Sequence, residues 1–275
     1  MGVLARGTPG MSGAELFNLV NQAALHASVN GEKAVNMKAF EYSKDKILMG
    51  AERKSAVISP ETARMTAYHE GGHALVALKT SGADPVHKAT IMPRGQALGM
   101  VMQLPAGDQT SQSRKQMMAR LDVCMGGRVA EEMIFGADEV TSGASSDIRQ
   151  ATSLARSMVR KFARVRLTSH LVFDCSSWNA TACCAALIEQ VMQYGMSDEV
   201  GVVFHSNNDP SSPEMRATID KEVQKLLSSS YKRATKLLDE NRKDLDLIAK
   251  ALMDRETLTG SEIQALLAGK RLKGK

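Results

Sequence analysis

The segment His69-Glu70-Gly71-Gly72-His73 places two histidines four positions apart, with a glutamate directly after the first. Positions i and i+4 share one face of a helix, so both imidazoles can reach the same metal ion. Neutral imidazole nitrogen suits Zn²⁺, which lowers the pKa of a water molecule it holds towards about 7. Glu70 can take the proton as that water attacks a carbonyl. The spacing therefore predicts metal-assisted hydrolysis with Glu70 as the general base.

A catalytic zinc site needs a third protein ligand, and the residues alone leave its identity open. Position 79, where one class of zinc peptidase carries a third histidine, is Lys79, and no glutamate lies between Glu70 and Glu131. Asp147 is an attractive ligand because it follows a Gly/Ser-rich turn at the start of a predicted helix. An acid at that position can equally complement the helix N-terminus without binding a metal. The other acids considered are Asp84, Asp108, Asp122, Glu131 and Glu132.

The composition of the chain predicts a helix-rich globular protein. Of its 275 residues, 43% are hydrophobic, only 4% are aromatic and 17 are Met, which favours helices packed through Leu, Ala and Met. The net charge is only +5 and the two signs alternate, so nucleic-acid binding gains little support and no nucleic-acid partner is expected. No apolar run reaches the roughly 18 residues of a membrane span, so the chain as given is expected to be soluble.

The elements that must position these residues begin at recognisable cap residues. Periodic apolar residues and caps predict helices at about 13–30, 37–49, 60–79, 113–124, 129–135, 147–158, 213–239 and 242–254, with a short last helix after Thr259. Gly126-Gly127 separates two of them. Two β-leaning runs at 86–92 and 98–104 predict a hairpin. This hairpin either binds an extended substrate at its edge or is an ordinary packed hairpin.

Several motifs in the same order resemble the FtsH family of ATP-dependent zinc metalloproteases, most closely its mitochondrial i-AAA branch. The resemblance rests on His69-Glu70-Gly71-Gly72-His73, Ala89-Thr90-Ile91-Met92-Pro93-Arg94-Gly95, Met125-Gly126-Gly127-Arg128-Val129-Ala130-Glu131-Glu132 and Thr141-Ser142-Gly143-Ala144-Ser145-Ser146-Asp147. It implies a zinc endopeptidase whose metal ligands are His69, His73 and Asp147. Glu131 or Glu132 is a distant second choice for the third ligand.

The resemblance also implies the fold and its division. We expect a mainly α chain with a small β element, in which residues 1–55 are the incomplete C-terminal helical lid of an AAA ATPase module. Residues 56–270 form the zinc metallopeptidase domain. No Gly-x-x-x-x-Gly-Lys-Ser/Thr loop occurs in the sequence, so ATP and Mg²⁺ are expected only in an ATPase part that this sequence lacks.

Partners and location follow from the same resemblance. It implies unfolded or membrane polypeptides as substrates and a homo-hexamer for the full-length protein. Membrane contact is expected only through N-terminal helices that this sequence does not contain. The implied location is the mitochondrial inner membrane, with a chloroplast or bacterial membrane as the alternative.

One segment departs from the family pattern. About 32 extra residues at 159–190 separate Ser157-Met158 from Val191-Met192, and they include three of the four cysteines and Trp178. They are interpreted as translated intron sequence or as a surface insertion particular to this lineage. The alternative function is therefore a catalytically impaired fragment, or a scaffold module disrupted by this insertion.

Overall fold

The computed structural model describes residues 2–8, 10–53, 58–95, 97–104, 111–160 and 213–270. The helices there are α1 (Gly2–Arg6), α2 (Gly13–Val29), α3 (Met37–Met49), α4 (Pro60–Lys79), α5 (Arg114–Phe135), α6 (Ser145–Arg160), α7 (Pro213–Glu240), α8 (Arg242–Arg255) and α9 (Gly260–Leu267). The strands are β1 (Val86–Thr90), β2 (Met100–Gln103) and β3 (Thr257–Thr259). The predicted mainly helical chain with a small β element is confirmed. The predicted insertion at 159–190 lies, beyond residue 160, outside the described residues.

Cap residues fix where the helices begin, as predicted. Ser12 accepts a hydrogen bond from the backbone of Glu15, whose side chain accepts one in return from the backbone of Ser12. The side chain of Ser59 accepts a hydrogen bond from the backbone of Thr62 at the start of α4, and Pro60 occupies the first helical position. These bonds satisfy amide groups that have no partner within the helix.

The prediction that Gly126-Gly127 separates two helices is wrong, because α5 runs unbroken from Arg114 to Phe135. Here the glycines allow two helices to approach closely. A Cβ added at Gly126 would lie 2.8 Å from the carbonyl oxygen of Gly72, and one added at Gly72 would lie 2.7 Å from Cβ of Ala130. The helices α4 and α5 therefore cross almost backbone to backbone at the level of the two histidines.

The sheet has three antiparallel strands in the order β2-β1-β3. The predicted hairpin is confirmed, although both strands are shorter than the runs that predicted them. Ala89 of β1 pairs with Val101 of β2 on one side and with Leu258 of β3 on the other. The third strand was not predicted. It joins the end of α8 to the sheet and leaves β2 at one edge.

The metal-centre unit, defined as α4 to α9 with the sheet, has one continuous hydrophobic core. Leu75 of α4, Leu121 of α5, Met158 of α6 and Leu245 of α8 are all fully buried. The N-terminal helix pair, α2 and α3, has a much smaller cluster, in which Ala23, Ala27 and Ala39 are buried with Phe40 packed against them, and Leu19 of α2 is buried as well. No helix in the described part of the chain is long and apolar enough to cross a membrane.

Charged side chains join the N-terminal helix pair to the sheet. Asp45 of α3 is 2% exposed and forms ion pairs with Lys88 of β1 and with Arg94, which follows that strand. Arg94 also pairs with Glu52. Because these groups are buried, removing one partner would leave an uncompensated charge.

Candidate metal centre

Two histidines from α4 converge at one point. Their Nε2 atoms are 3.1 Å apart and the two rings meet edge to face at 81°. His73 is 8% exposed. The predicted spacing of four residues thus places both imidazoles on one face of the helix, with their Nε2 atoms directed at the same space.

Asp147, in the first turn of α6, supplies the third donor atom. Its Oδ2 lies 3.2 Å from Nε2 of His69 and 3.3 Å from Nε2 of His73. A tetrahedral zinc ion with bonds of about 2.0–2.1 Å has donor atoms about 3.3–3.4 Å apart. The three atoms therefore have the spacing of three corners of a zinc site, with the fourth corner left for water. Elsewhere in the described ranges no other trio of His, Cys, Asp or Glu side chains meets in this way.

The remaining ring nitrogens are also bonded. Nδ1 of His69 lies 2.7 Å from Oε1 of Glu131, and Nδ1 of His73 lies 2.7 Å from the carbonyl oxygen of Val123. A proton held at each Nδ1 leaves the Nε2 lone pair free for a metal. Glu131 in turn accepts hydrogen bonds from the backbone amide and the hydroxyl of Thr141, at 2.8 and 3.0 Å.

The structure separates Glu131 and Glu132 from the three donor atoms. Glu131 lies behind His69 at Nδ1, and Glu132 accepts a hydrogen bond from the hydroxyl of Tyr231 on α7. Glu131 and Glu132, the alternatives to Asp147 as third ligand, therefore both bond to other groups. The structure brings together His69, His73 and Asp147, with Glu70 beside them.

Gly127 of α5 forms the wall against which both rings lie. A Cβ at this position would be 2.5 Å from Cε1 of His69 and 2.5 Å from Nε2 of His73. Any larger residue would occupy the space of the ring atoms. The second glycine of the pair in α5 thus serves the site, while Gly126 serves the crossing of the helices.

The charges of the site perturb one another. Burial raises the pKa of Glu70 above its usual range, although both neighbouring histidines oppose this. Burial lowers the pKa of His69, but hydrogen bonds to Asp147 and Glu131 outweigh it and raise the pKa to about 10. Burial raises the pKa of Asp147, and its bonds to the two histidines outweigh this and hold the pKa well below its usual value. Without a metal, a proton on His69 is thus held between two carboxylates.

Comparison with known proteins decides the family. The model of peptidase family M41 matches residues 56–174 and 179–266, and the model of the AAA+ lid domain matches residues 2–42. The chain belongs to peptidase family M41. This confirms the resemblance drawn from the motifs and the expectation of a peptidase.

Three relatives show how much of a longer protein this M41 chain resembles. It is 48% identical to the ATP-dependent zinc metalloprotease FTSH 11, chloroplastic/mitochondrial, of Arabidopsis thaliana over 98% of this chain and 29% of that protein. It is 49% identical to FtsH of Neorickettsia risticii over 98% of this chain and 38% of that protein. It is 46% identical to the human ATP-dependent zinc metalloprotease YME1L1 over 98% of this chain and 31% of that protein. The chain thus spans about a third of each relative.

The residues that carry the three donor atoms line a cleft of about 1170 Å³ in this M41 chain. Its walls come from α4, from the β2 strand with the residues before it, and from the first half of α5. A volume of this size fits several residues of an extended chain rather than one small ligand, because small-molecule pockets are about 300–1,000 Å³.

Sequence reasoning missed three groups that complete the site in this M41 chain. They are Glu131 as the partner of His69, Thr141 as the partner of Glu131, and the carbonyl of Val123 as the partner of His73. Residues of α5 at 123, 127 and 131 lie on one helical face, so treating α5 as one helix would have placed the first and last of these near the histidines. No sequence signal marks a backbone carbonyl as a hydrogen-bond acceptor.

Proposed function

We propose that this chain is the zinc endopeptidase unit of a membrane-anchored ATP-dependent protease that degrades unfolded or membrane proteins. Zinc is held by His69, His73 and Asp147, and Glu70 is the general base. The observation that carries the proposal is the triangle of donor atoms, with sides of 3.1–3.3 Å, beside a buried glutamate.

Different residues of the chain have different roles in the proposed hydrolysis. His69, His73 and Asp147 would hold a zinc ion that would polarise the peptide carbonyl and lower the pKa of a water molecule towards about 7. Glu70 is 6% exposed and accepts the proton of the attacking water, and its raised pKa improves its ability to do so. The same carboxyl group then donates that proton to the leaving amine. Glu131 and the carbonyl of Val123 hold the two imidazoles in orientation throughout.

The edge of β2 provides a place for an extended substrate. Gly99, directly before this strand, lies so close to the active-site helix that a Cβ there would be 2.8 Å from Oε1 of Glu70 and 2.8 Å from Cγ2 of Thr66. Within the described residues, β2 pairs only with β1. A peptide added to the open edge would place its backbone beside Glu70 through main-chain hydrogen bonds, with little demand on its sequence.

The wider assignments rest on the relatives rather than on the site. We assign residues 1–55 to an AAA lid and residues 56–270 to the peptidase domain. The full-length protein is proposed to be a homo-hexamer whose ATPase part delivers substrate. The name of FTSH 11 mentions both chloroplast and mitochondrion, and we propose the mitochondrial inner membrane for this protein.

Cleavage of unfolded casein by the zinc-loaded chain tests the function. We expect slow cleavage without ATP, abolished by a chelator and reduced at least about 10²-fold in Glu70→Gln, because a general base contributes about that factor. Zinc content should be unchanged in Glu70→Gln. The matched control is Glu61→Gln, an exposed acid in the first turn of the same helix.

Two results contradict the proposal. Equal cleavage by Glu70→Gln and the unaltered chain would exclude Glu70 as the base. A zinc-loaded chain that cleaves nothing would instead support the impaired fragment or scaffold module.

A further inference from the structure

We propose that Arg120 makes the cleft select substrates with an acidic side chain close to the scissile bond. This inference rests on the proposed function, because it concerns the same cleft and the same extended substrate. Arg120 is exposed, lies on α5 and lines the cleft. It would be a specificity-determining residue that contacts substrate side chains without taking part in the reaction.

The position of Arg120 follows from helical spacing. Gln116, Arg120, Val123 and Cys124 all line the cleft and lie at i, i+4, i+7 and i+8, which is one face of α5. Two turns further along the same helix, Gly127 contacts the metal-binding histidines. The guanidinium group is therefore carried on the wall that leads directly to the donor atoms.

Arg120 and Cys124 lie one helical turn apart on the face of α5 that lines the cleft, and Asp147 lines the same cleft. Burial and the charge of Asp147 raise the pKa of the Cys124 thiol to about 11, although the charge of Arg120 lowers it. One thiol thus responds to a metal-binding carboxylate and to the guanidinium group. Arg120 therefore lines the same cleft as the three donor atoms, and its charge acts on a thiol of that cleft that the charge of Asp147 also affects.

The charge of Arg120 is uncompensated where the substrate would lie. Among the described residues of the cleft wall it is the only Lys or Arg. Four acids share the cleft, namely Glu70, Asp84, Glu131 and Asp147. Asp147 and Glu131 are held by the histidines. Asp122, two positions from Arg120, pairs with Arg233 instead, and in the described part of the chain no ion pair of Arg120 is found.

A peptide bound along β2 would present alternate side chains to α5, because successive side chains of a strand point to opposite faces. One acidic side chain could then form a charge-assisted hydrogen bond with the guanidinium group, whose planar geometry matches a carboxylate. A lysine at the same position would be repelled. Because the pair is exposed to solvent, we expect the total difference to be about fivefold to tenfold.

A peptide series tests this inference with the full zinc-loaded chain. One cleaved peptide is varied to Glu, Gln or Lys at each position on both sides of the scissile bond, and kcat/KM is measured. We expect kcat/KM of the Glu peptide to exceed that of the Lys peptide by about fivefold to tenfold at one position, or at alternate positions. The preference should disappear in Arg120→Gln, reverse in Arg120→Glu and shrink at higher salt. The matched control is Arg114→Glu, an exposed residue of α5 outside the cleft, which should keep the preference.

Equal rates for Glu and Lys peptides would overturn the inference, and so would a preference that persists in Arg120→Gln. Binding separates this inference from the proposed function. Glu70→Gln loaded with zinc should bind fluorescent Glu peptides more tightly than Lys peptides by a similar factor, and equal Kd values would overturn the inference even if no peptide is cleaved. Selective binding without any cleavage by the unaltered chain would support the role of Arg120 and contradict the endopeptidase.

Discussion

The metal-centre unit and the N-terminal helix pair bury their apolar residues very differently. Leu75 of the first is fully buried, whereas Phe17 of α2 is 77% exposed. Leu16, Val20, Leu25 and Val29 of α2 are exposed as well. The three side chains proposed to bind the metal lie on α4 and α6, whose buried residues belong to the core of the metal-centre unit. Within the described residues, most of the large apolar side chains of α2 are exposed.

The largest expected effect on stability comes from replacing a glycine of the metal-centre unit, where the glycine is crowded, rather than one of the N-terminal helix pair, where the space is open. Gly72→Ala should destabilise the chain by about 3 kcal/mol or more, because the new methyl group would overlap Ala130 and the carbonyl of Gly126 across the helix crossing. Gly13→Ala at the start of α2 meets nothing within 4 Å and should stabilise by about 0.5 kcal/mol through lower chain entropy. Urea unfolding measures both.

Equal unfolding midpoints for these two variants would break the comparison. If Gly72→Ala loses less stability than predicted and keeps its zinc affinity, then α4 and α5 can separate slightly without moving His69 or His73.

The next effect concerns the hydrogen-bonded chain behind the metal site. Thr141→Val removes the hydroxyl that donates to Glu131 while keeping the shape of the side chain. Zinc affinity should fall about tenfold, because partners of metal-binding histidines commonly contribute 10- to 100-fold. Competition with a chelator measures the affinity of the folded chain directly.

Thr141→Ser keeps the donor and should restore most of the affinity. An unchanged zinc affinity in Thr141→Val would mean that the backbone amide of this residue, 2.8 Å from Oε2, is sufficient to hold Glu131.

The raised pKa of His69 predicts a pH effect on the stability of the metal-free protein. The pKa of His69 is raised from 6.5 to about 10, so its contribution to stability is complete below pH 6.5 and is lost as the pH rises through about 10. The pKa values of Asp147 and Glu131 are lowered, so the stability that these two groups contribute is present at neutral pH and is lost in acid. After chelation, Tm should therefore fall from about pH 6 to about pH 9. His69→Gln should show a smaller fall, and equal falls would contradict the assigned cause.

The smallest expected effect tests the open surface of α2. Phe17→Ser removes an aromatic ring that is already mostly in water, so the free energy of unfolding of this chain should change by less than about 0.5 kcal/mol. Leu75→Ala in the metal-centre unit should cost about 2–5 kcal/mol. A comparable loss from Phe17→Ser would show that α2 packs against residues outside the described ranges.

Features that one short segment determines were predicted correctly from the sequence. The caps at Ser12 and Ser59 gave the starts of α2 and α4, and the spacing of His69 and His73 gave a shared helical face. Asp147 was different, because spacing left several acids open and only the family resemblance selected it. A third ligand 74 positions after His73 is brought near by tertiary folding, which no local pattern encodes.

The incorrect and missing predictions share one physical reason. Gly126-Gly127 reads locally as a break, yet the close approach of Gly72 stabilises a continuous α5. The strand β3 has only three residues, too few to show alternation, and it forms because β1 offers it an edge. In both cases a contact distant in sequence decides the local structure.

The most direct test of the account is a crystal structure of the zinc-loaded chain with anomalous data at the zinc edge. We predict one zinc ion within about 2.2 Å of Nε2 of His69, Nε2 of His73 and Oδ2 of Asp147. Glu131 should remain at Nδ1 of His69. A zinc ion bound by the histidines together with Glu131 or Glu132, with Asp147 out of reach, would contradict it.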